Sequence, residues 1–299
     1  MKSFIVVPTL NAASVWPLFV DPLLASVPAD RVLILDSSSI DGTPDLARAA
    51  GFRVEVIARS DFNHGGTRQL GVELLSDAQV LVFLTQDAIL ADSQAIQMLL
   101  KAFEDATVAA AFGRQLPRPG ATPIEAHARL FNYPAHSGLR TLASRSQLGF
   151  KTIFISNSFA AYRRDALMAV GGFPRDVIFG EDTVSAARLL LAGWKIAYVA
   201  EAQVYHSHSY SWNQDFKRYF DIGVLHAREG WLLREFGSTG GEGGRFVRSE
   251  LNYLWPRSWW LIPSAIIRTT LKLTGYRLGR IEKKLSLEWK RRLSMYKQL

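Results

Sequence analysis

Three acidic side chains, far apart along the chain, each follow an apolar run. Asp36 lies in Leu35-Asp36-Ser37-Ser38-Ser39-Ile40-Asp41-Gly42-Thr43, Asp87 in Val82-Phe83-Leu84-Thr85-Gln86-Asp87-Ala88, and Asp182 in Ile178-Phe179-Gly180-Glu181-Asp182. A carboxylate among small hydroxyl residues, as at Asp36, can accept from a base N–H or a ribose hydroxyl; Ser39 or Asp41 in such a place can equally cap the next helix. An isolated carboxylate after a buried strand, as at Asp87, suits a hard divalent cation that also holds a diphosphate. The acids Glu181 and Asp182 open a helix, where the dipole favours them whatever they do. In a catalytic reading one of them is a general base while its neighbour stays ionised. His206 and His208, two apart on a predicted strand, face the same side, and neutral imidazole ligates metals, although most such histidines are plain surface or core residues. His64 and Arg68, in Asp61-Phe62-Asn63-His64-Gly65-Gly66-Thr67-Arg68, stand at another helix start, where backbone N–H groups and an arginine can hold phosphate.

These residues need a scaffold that brings them together. Apolar runs at residues 4–7, 32–35, 54–57 and 80–84 read as strands, separated by helical patterns at 15–24, 44–50, 67–75 and 93–103. Continuous apolar strands alternating with helices predict a parallel sheet covered on both faces. Ligands of such sheets bind beyond the carboxyl ends of the strands, so Thr9, Asn11, Asp36 and Thr85-Gln86-Asp87 become candidates by position. Residues 113–133 read as irregular, with Pro117, Pro119 and Pro123 marking a loop. An extended stretch follows at 153–162, then helices at 164–170 and 182–192, a strand at 196–199 and a long helix at 213–236. Five glycines within residues 237–244 read as a hinge.

Composition limits the classes of function. A chain of 299 residues, 48% hydrophobic and 21% charged, builds one large domain or a domain with an appendage, not a disordered or collagen-like protein. The absence of cysteine excludes disulfides, thiolate zinc sites and a cysteine nucleophile, and suits a reducing compartment. The opening Met1-Lys2-Ser3-Phe4-Ile5-Val6-Val7-Pro8 reads as too short an apolar run for a secretory signal. Net charge is +8, but residues 245–299 carry thirteen Lys and Arg against three Glu, so the body is near neutral and the tail is basic. Such a tail points to an anionic partner. Its most apolar run, residues 258–267, is interrupted by Pro263 and flanked by Arg257 and Arg268, too short to span a bilayer. Trp255, Trp259, Trp260, Ile266, Ile267, Leu271 and Leu273, interleaved with Arg257, Arg268, Lys272 and Arg277, suit an interfacial anchor. The alternative is that these tryptophans pack against the body.

Taken in order and spacing, the motifs resemble family 2 glycosyltransferases of the GT-A fold over about residues 3–230. Val7-Pro8-Thr9-Leu10-Asn11 is similar to that family's opening strand motif, and Asp36 with Asp41-Gly42-Thr43 to its nucleotide-binding segment. Thr85-Gln86-Asp87 stands where the family carries Asp-x-Asp, and Gly180-Glu181-Asp182 where it carries its acceptor-side acids. Phe62-Asn63-His64-Gly65-Gly66-Thr67-Arg68 and Thr85-Gln86-Asp87-Ala88 look more narrowly like bacterial rhamnosyltransferases. Thr85 departs from the first acid of Asp-x-Asp, which leaves fewer charges around a cation.

The resemblance implies an α/β, Rossmann-like, mostly parallel sheet with helices on both faces. Residues 1–236 would form the catalytic domain, its nucleotide half about 1–112 and its acceptor half about 113–236. Residues 237–299 would form a Gly-rich hinge and a basic, Trp-rich helical region. It implies that Pro8, Thr9 and Asn11 shape the nucleotide pocket with Asp36, Asp41 and Gln86, with Asp36 on the base and His64 and Arg68 near the sugar or diphosphate. Asp87 would ligate Mg²⁺ or Mn²⁺ with His206 as second ligand and His208 as its fallback. Asp182 would deprotonate the acceptor hydroxyl, oriented by Glu181. The expected reaction is inverting transfer of L-rhamnose from dTDP-L-rhamnose to a bacterial O-antigen, lipopolysaccharide core or lipid-linked glycan. The expected location is the cytoplasmic side of the bacterial inner membrane, held peripherally by the basic tail. UDP-glucose or UDP-galactose are the rival donors. A sugar nucleotidyltransferase would want a Gly-rich basic loop where this chain has Pro8-Thr9-Leu10-Asn11. A non-catalytic glycan- or nucleic-acid-binding protein has no reason to keep three acids at element ends, and no nucleic acid is expected.

Overall fold

The computed structural model describes residues 1–238 and 240–296. Among the described residues nine strands form one sheet: β1 (Ser3–Thr9), β2 (Val32–Asp36), β3 (Arg53–Val56), β4 (Val80–Leu84), β5 (Ile89–Leu90), β6 (Val108–Leu116), β7 (Gly138–Arg140), β8 (Phe159–Arg163) and β9 (Lys195–Tyr205), in the order β3-β2-β1-β4-β8-β6-β9-β5, with β7 pairing to β9. The first four strands are parallel, as the alternation of elements predicts. Strand β8 enters antiparallel between β4 and β6, and β9 then runs parallel to β6. Strands β1 to β4, β6 and β9 therefore all point the same way, and the sheet is mostly parallel.

Alternation along the strands divides the core in two. Val6, Leu33, Leu35, Leu81 and Phe83 face one layer, with helices α3 (His64–Leu74), α7 (Arg164–Ala169) and α8 (Glu181–Leu191). Ile5, Val7, Val32, Ile34, Val80, Val82 and Leu84 face the other, with α1 (Trp16–Ser26), α2 (Thr43–Ala49) and α4 (Ala95–Lys101). These side chains are almost wholly buried, each worth about 1.5–3 kcal/mol relative to exposure, so slipping one strand by a residue would turn an apolar set out of its layer.

The structure corrects the reading of the middle of the chain. Residues 113–133 are not one loop: β6 runs to Leu116, and α5 (Pro123–Asn132) begins behind a capping box in which Thr122 Oγ1 accepts from Glu125 N–H. The extended stretch at 153–162 narrows to β8, preceded by the single-turn α6 (Arg145–Leu148) and a 3-10 turn over Gly149–Ile153. The long helix at 213–236 is two helices, α9 (Trp212–Arg228) and α10 (Gly230–Phe236), broken where Glu229 leaves helical geometry at φ −97°, ψ 47°.

The C-terminal region is helical as predicted but is not loosely hinged. Gly240, Gly241, Gly243 and Gly244 start α11 (Gly240–Ser258), which is followed by α12 (Ile262–Arg280) and α13 (Leu287–Leu293); Thr239 of the expected hinge lies outside the described residues. Helix α11 lays Phe246 and Tyr253 against His127 of α5, with ring centroids 5.0 and 5.4 Å apart. Helix α12 approaches α9 at glycines. A Cβ on Gly275 would lie 2.3 Å from Phe216 O, and one on Gly279 2.0 Å from Phe220 O. Buried ion pairs reinforce the docking: Asp215 with Arg268 and Lys272, and Glu282 with Arg228 (3.2 Å) and Lys290 (2.5 Å).

Candidate active site

The loops after β1 and β2 are stitched to each other. Asn11 (φ 49°) and Ser38 (φ 58°) take left-handed backbone, which asparagine tolerates better than most residues. Asn11 N–H donates to Ser39 Oγ (2.7 Å), and Ile40 N–H returns to Asn11 Oδ1 (3.0 Å). Asp41 accepts from Ala13 N–H (2.9 Å) and from Thr43 Oγ1 (2.6 Å). Asp36, fully buried at the end of β2, accepts from Thr9 Oγ1 (2.9 Å), Ser39 N–H (2.8 Å) and Ser39 Oγ (2.6 Å). Pro8 pairs opposite Leu35 just below. Gln86 clamps the end of β1: its Oε1 accepts from Leu10 N–H (2.7 Å) and its Nε2 donates to Leu10 O (3.1 Å). Asp36, Asp41 and Gln86 are therefore already engaged in building this pocket.

Asp87, beyond β4, meets the two histidines beyond β9. Its Oδ2 lies 3.3 Å from His206 Nε2 and 3.7 Å from His208 Nδ1. One ligand atom from each of the three side chains lies within 4.8 Å of the others, as a divalent ion requires. His206 and His208 stand in the loop after β9, not on the strand, and both reach the carboxylate. Arg129 Nη1 donates to Gln115 Oε1 (2.5 Å), which fixes that oxygen as an acceptor. His206 Nδ1, 2.9 Å from the same oxygen, must then carry the proton, and a neutral ring presents its Nε2 lone pair towards Asp87. Burial lowers the pKa of both imidazoles, to about 3 for His208. Burial raises the Asp87 carboxyl, and it is a protonated His206, donating from Nε2, that outweighs this and holds the group well below the carboxylate range; the neutral ring instead leaves both groups free to ligate. A neutral-imidazole and carboxylate donor set with its proton partner in place fits a divalent cation. The guanidinium of Arg118 also reaches in, donating to Asp87 O.

The acid pair divides into two roles. Glu181 is buried and ion-paired with Arg68 Nη1 at 3.0 Å, and its Oε1 also accepts from Asn157 Nδ2 at 3.0 Å. Although burial opposes ionisation, the Arg68 guanidinium lowers the Glu181 pKa. Asp182, half-buried, accepts from Thr183 N–H (2.7 Å) and from Asn157 N–H (3.3 Å). Burial and the Glu181 charge push its pKa up to about 7. Two adjacent carboxyls are thus driven apart, one fixed as an anion and one poised as a base near neutrality.

The Asn63-to-Arg68 segment turns its arginine to this pair. Asn63 Oδ1 caps α3 by accepting from Gly65 N–H (3.0 Å) and Gly66 N–H (2.9 Å), so those donors are taken. The helix start is also covered: a Cβ on Gly65 would lie 1.7 Å from Pro174 O. Arg68 is 5% exposed and turned to Glu181, while His64 gives its backbone oxygen to Arg68 Nη1 (3.0 Å). Burial lowers the His64 pKa to about 4.

Three site residues escape the sequence reading: Arg118, Asn157 and Arg218. Asn157 binds both acids, and its Oδ1 accepts from Tyr162 OH (2.8 Å); the one available signal is a polar Ser156-Asn157-Ser158 between apolar runs. Arg218 on α9 lies over the rings of Phe179 (4.8 Å) and Tyr210 (5.6 Å), in the field of Asp182, and forms no ion pair among the described residues. Nothing in its sequence context separates it from Lys217.

Hydrogen bonds trace these groups to one end of the sheet. Leu10 and Gln86 join the Asp36 loop to the Asp87 loop, and Thr85 N–H donates to Ser158 O (3.3 Å), beside the Asn157 that holds Asp182. His206 N–H donates to Leu116 O (2.9 Å) at the same end of β6 and β9.

Comparison with known proteins agrees with this geometry. The family model described as Glycosyl transferase family 2 matches residues 4–171. The O-antigen chain rhamnosyltransferase RfbN of Salmonella typhimurium is 46% identical over 299 residues, covering 99% of this chain and 95% of that protein. The O-antigen chain rhamnosyltransferase WbaN of Salmonella anatum is 45% identical over 300 residues, with the same coverage. Among solved structures, the mannosyltransferase PcManGT of Pyrobaculum calidifontis, in complex with GDP-Man and Mn²⁺, superposes with a TM-score of 0.63 at 17% identity, covering 94% of this chain and 86% of that one.

Proposed function

The chain belongs to glycosyl transferase family 2, and from that premise we propose that it moves L-rhamnose from dTDP-L-rhamnose to a hydroxyl of a growing O-antigen glycan, inverting the anomeric centre. The observation that carries the reaction class is the acid pair: Asp182, its pKa raised to about 7, beside a Glu181 locked to Arg68, at the same end of the sheet as Asp87, His206 and His208. The choice of sugar and of glycan rests on the two Salmonella relatives, whose names carry both words.

An acceptor hydroxyl is a poor nucleophile at neutral pH, so a positioned carboxylate must take its proton as the new bond forms. Asp182 does this, and Asn157 and Thr183 hold its carboxylate in place. Glu181 stays ionised, favouring the protonated product form of Asp182 and orienting the acceptor. A single displacement uses no enzyme nucleophile, in keeping with a chain without cysteine. Asp87, His206 and His208 would hold Mn²⁺ or Mg²⁺, and two nitrogen donors favour Mn²⁺. When bound, the ion supplies charge neutralisation for the departing diphosphate. Arg118 and Arg218 add positive charge from the protein itself. Pro8, Thr9, Asn11 and the Asp36 loop receive the nucleoside.

Residues 1–236 would carry this chemistry, and residues 237–299 would face an anionic membrane. Trp255, Trp259 and Trp260 are 72%, 65% and 60% exposed, so they do not pack on the body, and Ile266, Ile267 and Leu273 are exposed beside them. No helix among the described residues is long and apolar enough to cross a membrane, so contact would be peripheral. A thermal-shift screen of dTDP-rhamnose, UDP-glucose and UDP-galactose, each with and without Mn²⁺, tests the reading. dTDP-rhamnose should raise the melting temperature most, and more so with metal. A larger shift with either UDP-sugar would move the donor assignment to that sugar.

A further inference from the structure

Residues 294–296 fold back to Asp221, Phe179 and His64, near the acid pair. Ser294 N–H closes α13 on Lys290 O (3.0 Å), Met295 N–H donates to Asp221 Oδ2 (3.0 Å), and Tyr296 N–H donates to Ser294 Oγ (2.9 Å). This strap places the Tyr296 ring parallel to Phe179, with centroids 6.4 Å apart and planes at 14°, and edge-on to His64 at 4.9 Å. Phe179 lies two residues before Glu181, and Arg218 covers its ring at 4.8 Å. Tyr210 lies beyond Arg218 and stacks on His208 (5.0 Å, 22°). A wall of rings and one guanidinium therefore leads from the C-terminal strap to the histidines near Asp87. Tyr296 is only half-buried, so part of its surface stays open.

We propose that Tyr296, carried by the strap at residues 294–296, is a specificity-determining residue that forms with Phe179 the platform for the acceptor sugar. It stands on the side of Phe179, Glu181 and Asp182, where the accepting hydroxyl must lose its proton, and not on the Asp36 side. Aromatic faces receive the C–H faces of pyranose rings and exclude water, while rings of this kind lose little conformational freedom on ordering. The strap reaches the site only because α13 is anchored by Lys290 on Glu282 and residue 295 by Asp221. Selection of the acceptor is thus carried by residues 294–296 after α13, whereas the base and the cation ligands come from residues 87–208. The inference rests on the glycosyl-transfer reading above.

The test compares Tyr296→Ala, Tyr296→Leu, Tyr296→Phe and a chain ending at Leu293. Octyl glycosides of galactose, glucose, mannose and rhamnose serve as acceptor probes, and dTDP binding is followed by calorimetry. Expected are a KM for the accepted glycoside raised about tenfold in the alanine, leucine and shortened proteins, and a Phe variant within about twofold of wild type. Donor hydrolysis without acceptor should be several-fold faster in the alanine protein, since the proposed platform no longer keeps water from the acceptor position, while dTDP affinity stays unchanged. Wild-type KM in the leucine variant would mean that the ring merely fills space and would overturn the proposal. So would unchanged KM and hydrolysis in the alanine and shortened chains, or a KM rise matched by loss of dTDP affinity. If no probe is accepted, the hydrolysis rates alone decide: equal rates refute it. A wild-type protein that neither binds dTDP nor hydrolyses the donor sinks the glycosyl-transfer reading itself, and this inference with it.

Discussion

At the scale of single residues, two neighbouring carboxyls differ because one has an arginine and the other does not. As the proposed base, Asp182 must be ionised, so turnover under subsaturating acceptor should rise with pH through about 7 and then level, and Asp182→Asn should lower it by about two to four orders of magnitude. The same raised pKa carries a stability sign. The folded state holds the Asp182 proton more tightly than the unfolded chain does, so its ionisation destabilises the fold increasingly as pH rises from about 4 to 7. Asp182→Asn should therefore raise the melting temperature more at about pH 8 than at about pH 5, and a gain independent of pH would refute the assignment. Arg68→Met leaves Glu181 buried without its cation, which costs about 3–5 kcal/mol when such pairs are broken. Urea denaturation measures that loss; a change below about 1 kcal/mol would show that the pair contributes little. Asp87 and the histidines were readable because each follows an apolar run or sits in a dense polar cluster. The bond from Arg68 to Glu181 is not, since contacts between distant segments leave no local pattern, and nothing in Asn63-to-Arg68 itself shows that its arginine pairs with an acid.

At the scale of elements, the first four strands were legible because each is a continuous buried apolar run. Strand β6 leaves little signal in the sequence, because Val108-Ala109-Ala110-Ala111 has no β-branched stretch, although its side chains are buried in the two core layers. Helix α5 was hidden by Pro117, Pro119 and Pro123, although Pro123 is a favourable first-turn residue behind the Thr122 cap. Of the five-glycine run that suggests a hinge, Gly237 (φ 83°) caps α10 and the rest begin α11, while close backbone approach requires glycine at the α9–α12 crossing. Gly279→Ala would force a methyl group to 2.0 Å from Phe220 O, so the helices must separate. A loss of about 1–3 kcal/mol is expected, read as a lower urea midpoint with unchanged slope.

At the scale of the whole molecule, charge and exposure are arranged unevenly. Arg268 and Lys272, which the sequence placed in the basic apolar face, are half-buried against Asp215, whereas Arg257, Arg277 and Arg280 are exposed. Each exposed cation near an anionic leaflet contributes about 1 kcal/mol, and the three tryptophans add apolar insertion. In flotation with vesicles containing anionic lipid, the wild-type protein should float and a Trp255, Trp259 and Trp260 triple alanine variant should stay largely in the bottom fraction, with no loss of melting temperature. Equal flotation of the two would remove these tryptophans from the contact. Because α12 is fixed to α9 at Gly275 and Gly279, that face and the acid pair belong to one rigid arrangement, so an enzyme lying on a membrane would keep its site at a set height and tilt.

Where the loops after β1 and β2 receive the nucleoside, as proposed, the lattice of bonds between them also bears on how donor choice can change. Asn11, Ser39, Asp41 and Thr43 each satisfy a partner on the opposite loop or hold one that does, so altering any of them alone strands a donor or acceptor. Retargeting the enzyme to another nucleobase by stepwise mutation should therefore pass through poorly folded intermediates, whereas transplanting residues 9–13 and 36–43 together from a relative would keep the lattice whole. Diversification of base preference should accordingly proceed by exchange of cassettes and not by drift at single positions.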